Sequence, residues 1–381
     1  MLLTGATGFL GGEIAVLLSK SPRIRRLFCL VRAADAQTGA DRLARVFKFH
    51  GDDYDSSKVI AVVGDLGDKS LAQHLCGLED LRNVETIIHA AADTSFSPVR
   101  AAAIERVNIG GTRQILSWSR TLPGLQTFLY VGTASICGTQ LANSHIHEDQ
   151  SPDIGASHLV KYCYSKMVGE MEVRAAIPKE KLLIVRPSIV MGDSRSWKPR
   201  SYVILWALAV LDAIRLIPAN PHASVDVVPV DYAAKAITEL LFTSRNWTTY
   251  HISSGKESST TLEKTLSVVQ RGRAGRPEIK FVRPELIEQM KRWPRGLKPA
   301  CELLGYAEHL AYWSSTFDGA LRLLVRGMKP YFRFIDLNQT FDNSRLLSDT
   351  KLAPPPPSHE YARVAAKYLD EIDLTAGALD P

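Results

Sequence analysis

Cysteine is scarce in this 381-residue sequence and forms no pattern. Cys29, Cys76, Cys137, Cys163 and Cys301 are odd in number and scattered. No CxxC pair or Cys/His ligand spacing occurs, so local spacing supports neither a disulfide framework nor a metal site. A reducing, cytoplasmic setting is the expectation. Long apolar runs are also missing. The longest, Tyr202–Leu211, stops before Asp212 and Arg215 and falls well short of the roughly 20 residues a membrane-spanning helix needs. The apolar opening residues lack a basic leader and carry Gly5, Gly8, Gly11 and Gly12 at turn spacing, which reads as structure rather than a secretion signal. Charge of one sign is barely in excess, 46 Lys and Arg against 40 Asp and Glu. That balance does not argue for a nucleic-acid partner. With 45% hydrophobic and 23% charged residues, global disorder is excluded.

What is present is an alternation. Leu27–Val31, Val59–Val63, Thr86–His89, Thr127–Val131 and Leu182–Val185 are short apolar runs rich in branched or aromatic residues, the signature of buried strands. Helical stretches at Gly12–Lys20, Ile104–Ser119 and Tyr162–Ala176 lie between them. Further strands are expected near Val225–Val228 and Tyr250–Ile252. The pattern predicts an α/β fold, a doubly wound parallel sheet of the Rossmann kind over residues 1–255. From about residue 256 helical patterns dominate, predicting a smaller, mostly helical C-terminal substrate lobe over 256–381, to which 191–225 contributes. The run Pro354–Pro357 predicts a stiff spacer before a last helix near His359–Ile372.

The opening Leu2-Leu3-Thr4-Gly5-Ala6-Thr7-Gly8-Phe9-Leu10-Gly11 is a strand, three glycines spaced by three, and a helix start. Glycine serves there for positive φ, for backbone approach to a pyrophosphate and for helix-on-strand packing. The helix N-terminus favours phosphate. A dinucleotide cradle is therefore expected through Thr4, Gly5, Thr7, Gly8, Phe9, Leu10 and Gly11. The next strand ends Leu30-Val31-Arg32, where an NAD site would want a carboxylate for the ribose hydroxyl. Arg32, with Arg42 as a second contact, suits the 2′-phosphate of NADPH. Asp65 and Leu66 after the third strand, and Ala90, Ala91 and Ala92 after the fourth, are further expected cofactor contacts.

Tyr162 and Lys166 are four apart and share a helix face. A nearby ammonium lowers a tyrosine pKa, which predicts Tyr162 as the group exchanging a proton at a substrate oxygen. Tyr54 and Lys58 repeat the spacing in a polar segment without cofactor context. In Val131-Gly132-Thr133-Ala134-Ser135, Thr133 is the candidate donor to the substrate oxygen, with Ser135 in reserve. Asn108 sits inside a helical stretch, where Asn is poorly favoured. It is expected to hold a water or backbone group relaying protons to Lys166, or only to plug a helix kink.

These motifs, with Asn108-x-x-Gly111-Thr112 and Arg186-Pro187-Ser188, resemble in order and spacing the extended short-chain dehydrogenase/reductases over roughly residues 1–255. Leu30-Val31-Arg32, Ala90–Phe96, Val185–Val190 and Asp226–Tyr232 are similar to the thioester-reductase and fatty-acyl-reductase branch, as is Thr340-Phe341-Asp342-Asn343 more weakly. The resemblance implies NADPH-dependent reduction of an acyl thioester, on coenzyme A or a separate acyl or peptidyl carrier protein, to an aldehyde or on to the alcohol. It implies that Thr133 and Tyr162 polarise the carbonyl, Lys166 holds the ribose, and Pro187, Ser188 and Ile189 border the nicotinamide. Gly132, Cys137 and Ser194-Arg195-Ser196-Trp197 depart from the branch's usual residues. A free-carbonyl, steroid or sugar-nucleotide enzyme of the same superfamily, or a non-catalytic cofactor-binding regulator, remains the alternative.

On the substrate side, Ser201–Ile217 with Trp206 reads as core, as an acyl-chain wall or as an interfacial helix. The segment 271–298 holds nine basic residues against three acidic, so the whole net charge of the chain lies there. Arg292 and Arg295 are the candidate contacts for an acidic carrier protein, coenzyme A phosphates or an anionic membrane surface.

Overall fold

The computed structural model describes residues 1–195, 203–270, 275–293, 302–317 and 320–379. Seven strands form the central sheet: β1 (Leu2–Thr4), β2 (Leu27–Val31), β3 (Val59–Val63), β4 (Thr86–His89), β5 (Thr127–Val131), β6 (Leu182–Pro187) and β7 (Thr249–Ile252). Their spatial order is β3-β2-β1-β4-β5-β6-β7, with every neighbouring pair parallel. Strand order reverses beside β1, and the crevice between β1 and β4 is the switch point where such sheets take ligands.

The strands are apolar on consecutive residues because helices cover both faces. Leu3, Ile88, Leu129 and Val185 meet the helices Phe9–Lys20 and Val230–Phe242. Their neighbours Leu2, Ile87, Phe128 and Ile184 face Leu75, Leu116 and Trp118 on the other side. A third core gathers Leu205, Val210 and Ile214 with Leu266, Met290, Trp313, Leu324 and Met328. It joins the 203–217 region to the C-terminal third.

Several elements depart from expectation. The strand expected over Val225–Val228 is broken into Ser224–Val225 and Val227–Val228. Asp226 between them turns inward, accepting the amides of Ser254 at 2.8 Å and Phe341 at 2.9 Å. The helix expected over Ser201–Ile217 is seen as Val203–Ile214; Arg215, at φ 59°, ends it, and Leu216–Ile217 pairs with Lys280–Phe281. The expected last helix is α-helical only over Ser358–Ala365 and continues as a 3-10 segment, Ala366–Glu371. The C-terminal region also returns to the sheet edge. Thr340–Phe341 pairs with His145–Ile146, and Asp349 accepts the Tyr250 hydroxyl at 2.6 Å.

Candidate active site

The cradle is shaped by two steric facts. Gly5 has φ 83°, and a Cβ there would lie 2.9 Å from the Ala91 backbone. A Cβ on Gly11 would lie 2.1 Å from the Gly5 carbonyl oxygen, so no side chain fits. Gly8 donates its amide to Gly5 O at 2.9 Å and opens the Phe9–Lys20 helix without a side-chain cap, an arrangement suited to an anion. Thr4 is buried at the end of β1, Thr7 is half-buried on the turn, and Phe9 and Leu10 are half-buried at the helix start. Arg32 is exposed at the tip of β2, and Arg42 donates to its carbonyl. Asp35, the nearest carboxylate in sequence, caps the following helix by accepting the Thr38 amide at 2.7 Å. Asp65 turns back onto the Gly67 amide at 2.8 Å, beside buried Leu66. Ala90, Ala91 and Ala92 follow β4, and Pro187 ends β6. Ser188 is buried and Ile189 exposed.

A buried polar chain joins this turn to the Tyr162 helix. The Ala91 amide donates to Thr4 Oγ1 at 3.0 Å, which meets His89 Nδ1 at 2.9 Å. His89 Nε2 meets Thr112 Oγ1 at 3.0 Å, and Thr112 donates to the Asn108 carbonyl at 2.6 Å. Asn108 Nδ2 reaches Ser165 Oγ at 2.9 Å, and Ser165 donates to the Tyr162 carbonyl at 2.7 Å. The Asn108 side chain also clasps the Asp93 peptide, accepting its amide at 2.7 Å and donating to its carbonyl at 2.9 Å. Asn108 thus grips a backbone group and sits in a π-helical turn, Glu105–Gly110. Such turns recur at functional sites. Its amide is engaged with Asp93 and Ser165; no bond to Lys166 is seen.

Lys166 lies buried with Nζ 4.2 Å from the centre of the Tyr130 ring, and the Tyr130 hydroxyl donates to the Lys166 carbonyl at 3.2 Å. Burial lowers the Lys166 pKa to about 7, against the pull of Glu170. Tyr162 differs from expectation. Burial holds its hydroxyl above the ordinary tyrosine value, because desolvation of the phenolate outweighs any help from the lysine. Tyr162 therefore keeps its proton at neutral pH. Thr133 is buried at the end of β5 and accepts the Ser135 amide at 3.4 Å, leaving its hydroxyl proton to donate. The turn it opens, Ala134–Cys137, packs on the Tyr162 helix. Glu170, two turns beyond Tyr162, ion-pairs with Arg186 at 2.6 Å and Arg174 at 2.8 Å; the Arg186 motif residue thereby fastens this helix to β6. Tyr54, by contrast, donates to the Val59 carbonyl at 2.9 Å, outside the constellation.

The residues the sequence did not single out are aromatic. The Phe96 ring lies 6.3 Å from Tyr162, 5.2 Å from Tyr331 and 5.1 Å from Phe334, centre to centre. Tyr331 and Phe334 are three apart on the Leu321–Leu337 helix, a spacing that puts them on one face. Trp206 takes the first of its three expected readings, core. It is buried, 5.9 Å from Tyr331, with Nε1 donating to Leu374 O at 2.8 Å, so it backs Tyr331 from within the core instead of forming a wall. Among the described residues of the basic segment, three are ion-paired. Arg276 pairs with Asp212 and Asp370, Arg283 with Glu302 and Lys291 with Glu288. Arg292 is exposed, and Arg295 lies outside the described residues.

Residues 3–237 match the family model described as Male sterility protein, an NAD-binding family. The chain belongs to this family. Human fatty acyl-CoA reductase 2 is 26% identical over 310 residues, covering 67% of this chain and 58% of that protein. A nonribosomal peptide synthetase of Aspergillus flavus is 29% identical over 275 residues, 66% of this chain and 26% of its own. The chain thus spans little more than half of the acyl-CoA reductase it matches. Among solved structures, the terminal R domain from the myxalamid PKS-NRPS pathway superposes with TM-score 0.70 at 22% identity, covering 97% of this chain and 90% of that one. A thiolation-reductase di-domain from an archaeal non-ribosomal peptide synthetase gives 0.72 at 19%, covering 97% and 75%. UDP-glucuronic acid 4-epimerase from Bacillus cereus, in complex with NAD, gives 0.63 at 15%, covering 97% and 98%. The fold is that of the extended short-chain dehydrogenase/reductases, and the resemblance to their thioester-reductase and fatty-acyl-reductase branch is borne out.

Proposed function

We propose that this chain is an NADPH-dependent reductase of acyl thioesters that releases an aldehyde. The observation that carries the proposal is the aromatic set Phe96, Tyr331 and Phe334 beside Tyr162, an apolar surface for an acyl chain next to a proton donor. The nicotinamide cofactor fits the residues present: the Gly5–Gly11 cradle is one that a Cβ would fill, and the tip of β2 offers Arg32 where an NAD site would offer a carboxylate.

When bound, NADPH supplies the hydride. The chain's own groups handle the oxygen and the leaving sulfur. Thr133 and Tyr162 donate hydrogen bonds to the thioester carbonyl oxygen and stabilise the negative charge that grows on it. Tyr162, protonated at neutral pH, gives its proton to that oxygen. Collapse of the resulting hemithioacetal breaks the C–S bond, and the thiol of coenzyme A or a carrier leaves with a proton. Lys166 holds the cofactor ribose and returns the proton to Tyr162. Asn108 positions the helix through Ser165. The buried site favours these donors by excluding competing water.

The test is NADPH consumption with a panel of acyl-CoA and acylated carrier proteins, with the aldehyde trapped. Turnover of free aldehydes or sugar nucleotides with no thioester turnover would overturn the proposal.

A further inference from the structure

A second constellation lies away from the cradle, where the C-terminal segment rejoins the sheet edge. The short strand His145–Ile146 pairs in parallel with Thr340–Phe341, His145 opposite Thr340 and Ile146 opposite Phe341. The next residues, His147 and Asp342, therefore face one another across the same ladder. His145 and His147, two apart along an extended chain, project to the same side. His147 Nδ1 lies 3.2 Å from Asp342 Oδ2, and His145 Nε2 lies 4.0 Å from Asp342 Oδ1. One ligand atom from each of the three residues falls within 4.8 Å of the others.

We propose that His145, His147 and Asp342 form a binding site for a divalent transition metal of the zinc class. Bonds of about 2.0–2.2 Å to tetrahedral zinc put ligand atoms about 3.3 Å apart, so the His147–Asp342 separation already matches and His145 needs only a small rotation. Two imidazoles and a carboxylate suit zinc, nickel or copper over magnesium or calcium. The outer shell is in place. His145 Nδ1 meets Thr340 Oγ1 at 3.0 Å, which orients Nε2 toward the centre in the manner of metal-bound histidines. Asp342 is held by the Ser344 hydroxyl at 2.8 Å and the Ser344 amide at 3.2 Å. The frame is fixed by backbone bonds, Asp342 N to Ile146 O at 2.8 Å and Thr340 N to Ser144 O at 3.1 Å. His147 is exposed, leaving the fourth position to water or to a ligand from outside.

The bound ion would join the segment that precedes the Tyr162 helix to the C-terminal strand, 195 residues away. The His145-x-His147 pair is local in sequence, and the carboxylate that completes the set is remote. Exposed Lys256 is close enough to lower the His145 pKa, after burial the largest cause, and its charge opposes a cation.

The test is calorimetric titration of the chelator-treated, untagged full chain with zinc ion, alongside melting curves. Expected is saturable binding of one ion per chain, with a melting temperature that rises with zinc concentration. His147→Ala and Asp342→Asn abolish both effects, Thr340→Val weakens binding about tenfold or more, and Lys256→Gln tightens it. His222→Ala, an exposed histidine elsewhere, changes nothing. Because His147 is exposed, its variant folds, and its metal-free melting temperature serves as the check. No saturable binding, binding that persists in His145→Ala/His147→Ala, or loss of binding in His222→Ala would each overturn the proposal.

Discussion

His89 Nδ1 lies 2.9 Å from Thr4 Oγ1, and the Thr112 hydroxyl on the other side of the ring decides the tautomer. Thr4 Oγ1 accepts the Ala91 N–H and has its own proton to give to His89 Nδ1. Thr112 gives its proton to the Asn108 carbonyl, so it must accept from His89 Nε2–H. The imidazole is neutral with the proton on Nε2, and every link runs in one direction from β4 to the Asn108 turn. A second proton on His89 would force the Thr4 hydroxyl to turn its own proton away from Nδ1.

The pH dependence of stability follows. Burial, then the nearby Lys166, lowers the His89 pKa from 6.5 to about 3. Between those values the unfolded chain binds the proton and the folded chain does not. Stability is therefore full above about pH 6.5 and falls as pH drops toward 3, with a slope of about 1.4 kcal/mol per pH step of one for a single proton. His251, lowered to about 3 by burial and then by Arg186, acts in the same direction. Denaturant unfolding at a series of pH values should show this slope, and His89→Asn should flatten it. An unchanged slope in that variant would mean that His89 does not titrate as a buried neutral group.

Much of this is legible in the sequence where a residue's chemistry and its neighbours lie close together. Leu27–Val31, Val59–Val63, Thr86–His89 and Thr127–Val131 are strands at the expected bounds, because a buried parallel strand writes itself as a bounded apolar run. The glycine turn is similarly local. The pairing of Phe96 with Tyr331 and Phe334 is not legible, since contacts separated by more than 200 residues leave no periodic trace. Nor is the pairing of Arg276 and Arg283 in the basic segment, whose acidic partners Asp212, Asp370 and Glu302 lie outside it. The Tyr162 pKa runs against the sequence for a physical reason: the spacing shows the ammonium but not the burial, and burial is the larger effect.

Tyr162→Phe should lower turnover about 100- to 10,000-fold, the usual range for a lost general acid, with NADPH affinity retained. The ring and its contact with Phe96 survive; only the proton is removed. Steady-state rates together with cofactor titration by fluorescence check both halves. Near-normal turnover would remove Tyr162 from the chemistry, and joint loss of rate and cofactor binding would make its role structural.

Arg32→Ala should weaken NADPH far more than NADH. The guanidinium is exposed at the tip of β2, where its proposed partner is the 2′-phosphate that only NADPH carries. Dissociation constants for both cofactors in both proteins give the comparison, and the NADPH effect should shrink as salt screens the charge. Equal losses for the two cofactors would refute the assignment.

Glu170→Ala should destabilise the fold by about 3–5 kcal/mol, since it leaves the Arg186 charge buried without its partner. Arg186 is 1% exposed and Glu170 fully buried, whereas Arg174 is partly exposed and can turn to water. Replacing the inner pair together, Glu170→Leu with Arg186→Met, should recover much of the loss, because an apolar pair of similar volume carries no desolvation cost. Denaturant unfolding of the single and double variants measures this. A single-variant loss below about 1 kcal/mol, the value of an exposed pair, would show that the triad is not what fastens the Tyr162 helix to β6.

Phe334→Ala should discriminate between acyl chains by length. Phe334 is half-buried and stacks on Phe96 at 5.1 Å, while Phe96 alone reaches toward Tyr162. A short acyl group at the reacting carbon would touch Phe96 at most; a long one would run on along Phe334 and Tyr331. Aromatic contacts of this kind contribute about 0.5–1.5 kcal/mol beyond the area they cover. The variant should therefore lose several-fold to about tenfold in kcat/KM for long-chain thioesters, through KM, and little for short ones. The loss falls on KM because the contact is equally present before and during hydride transfer. A uniform loss across chain lengths would mean that the ring only supports the fold, and no loss at any length would move the acyl path elsewhere.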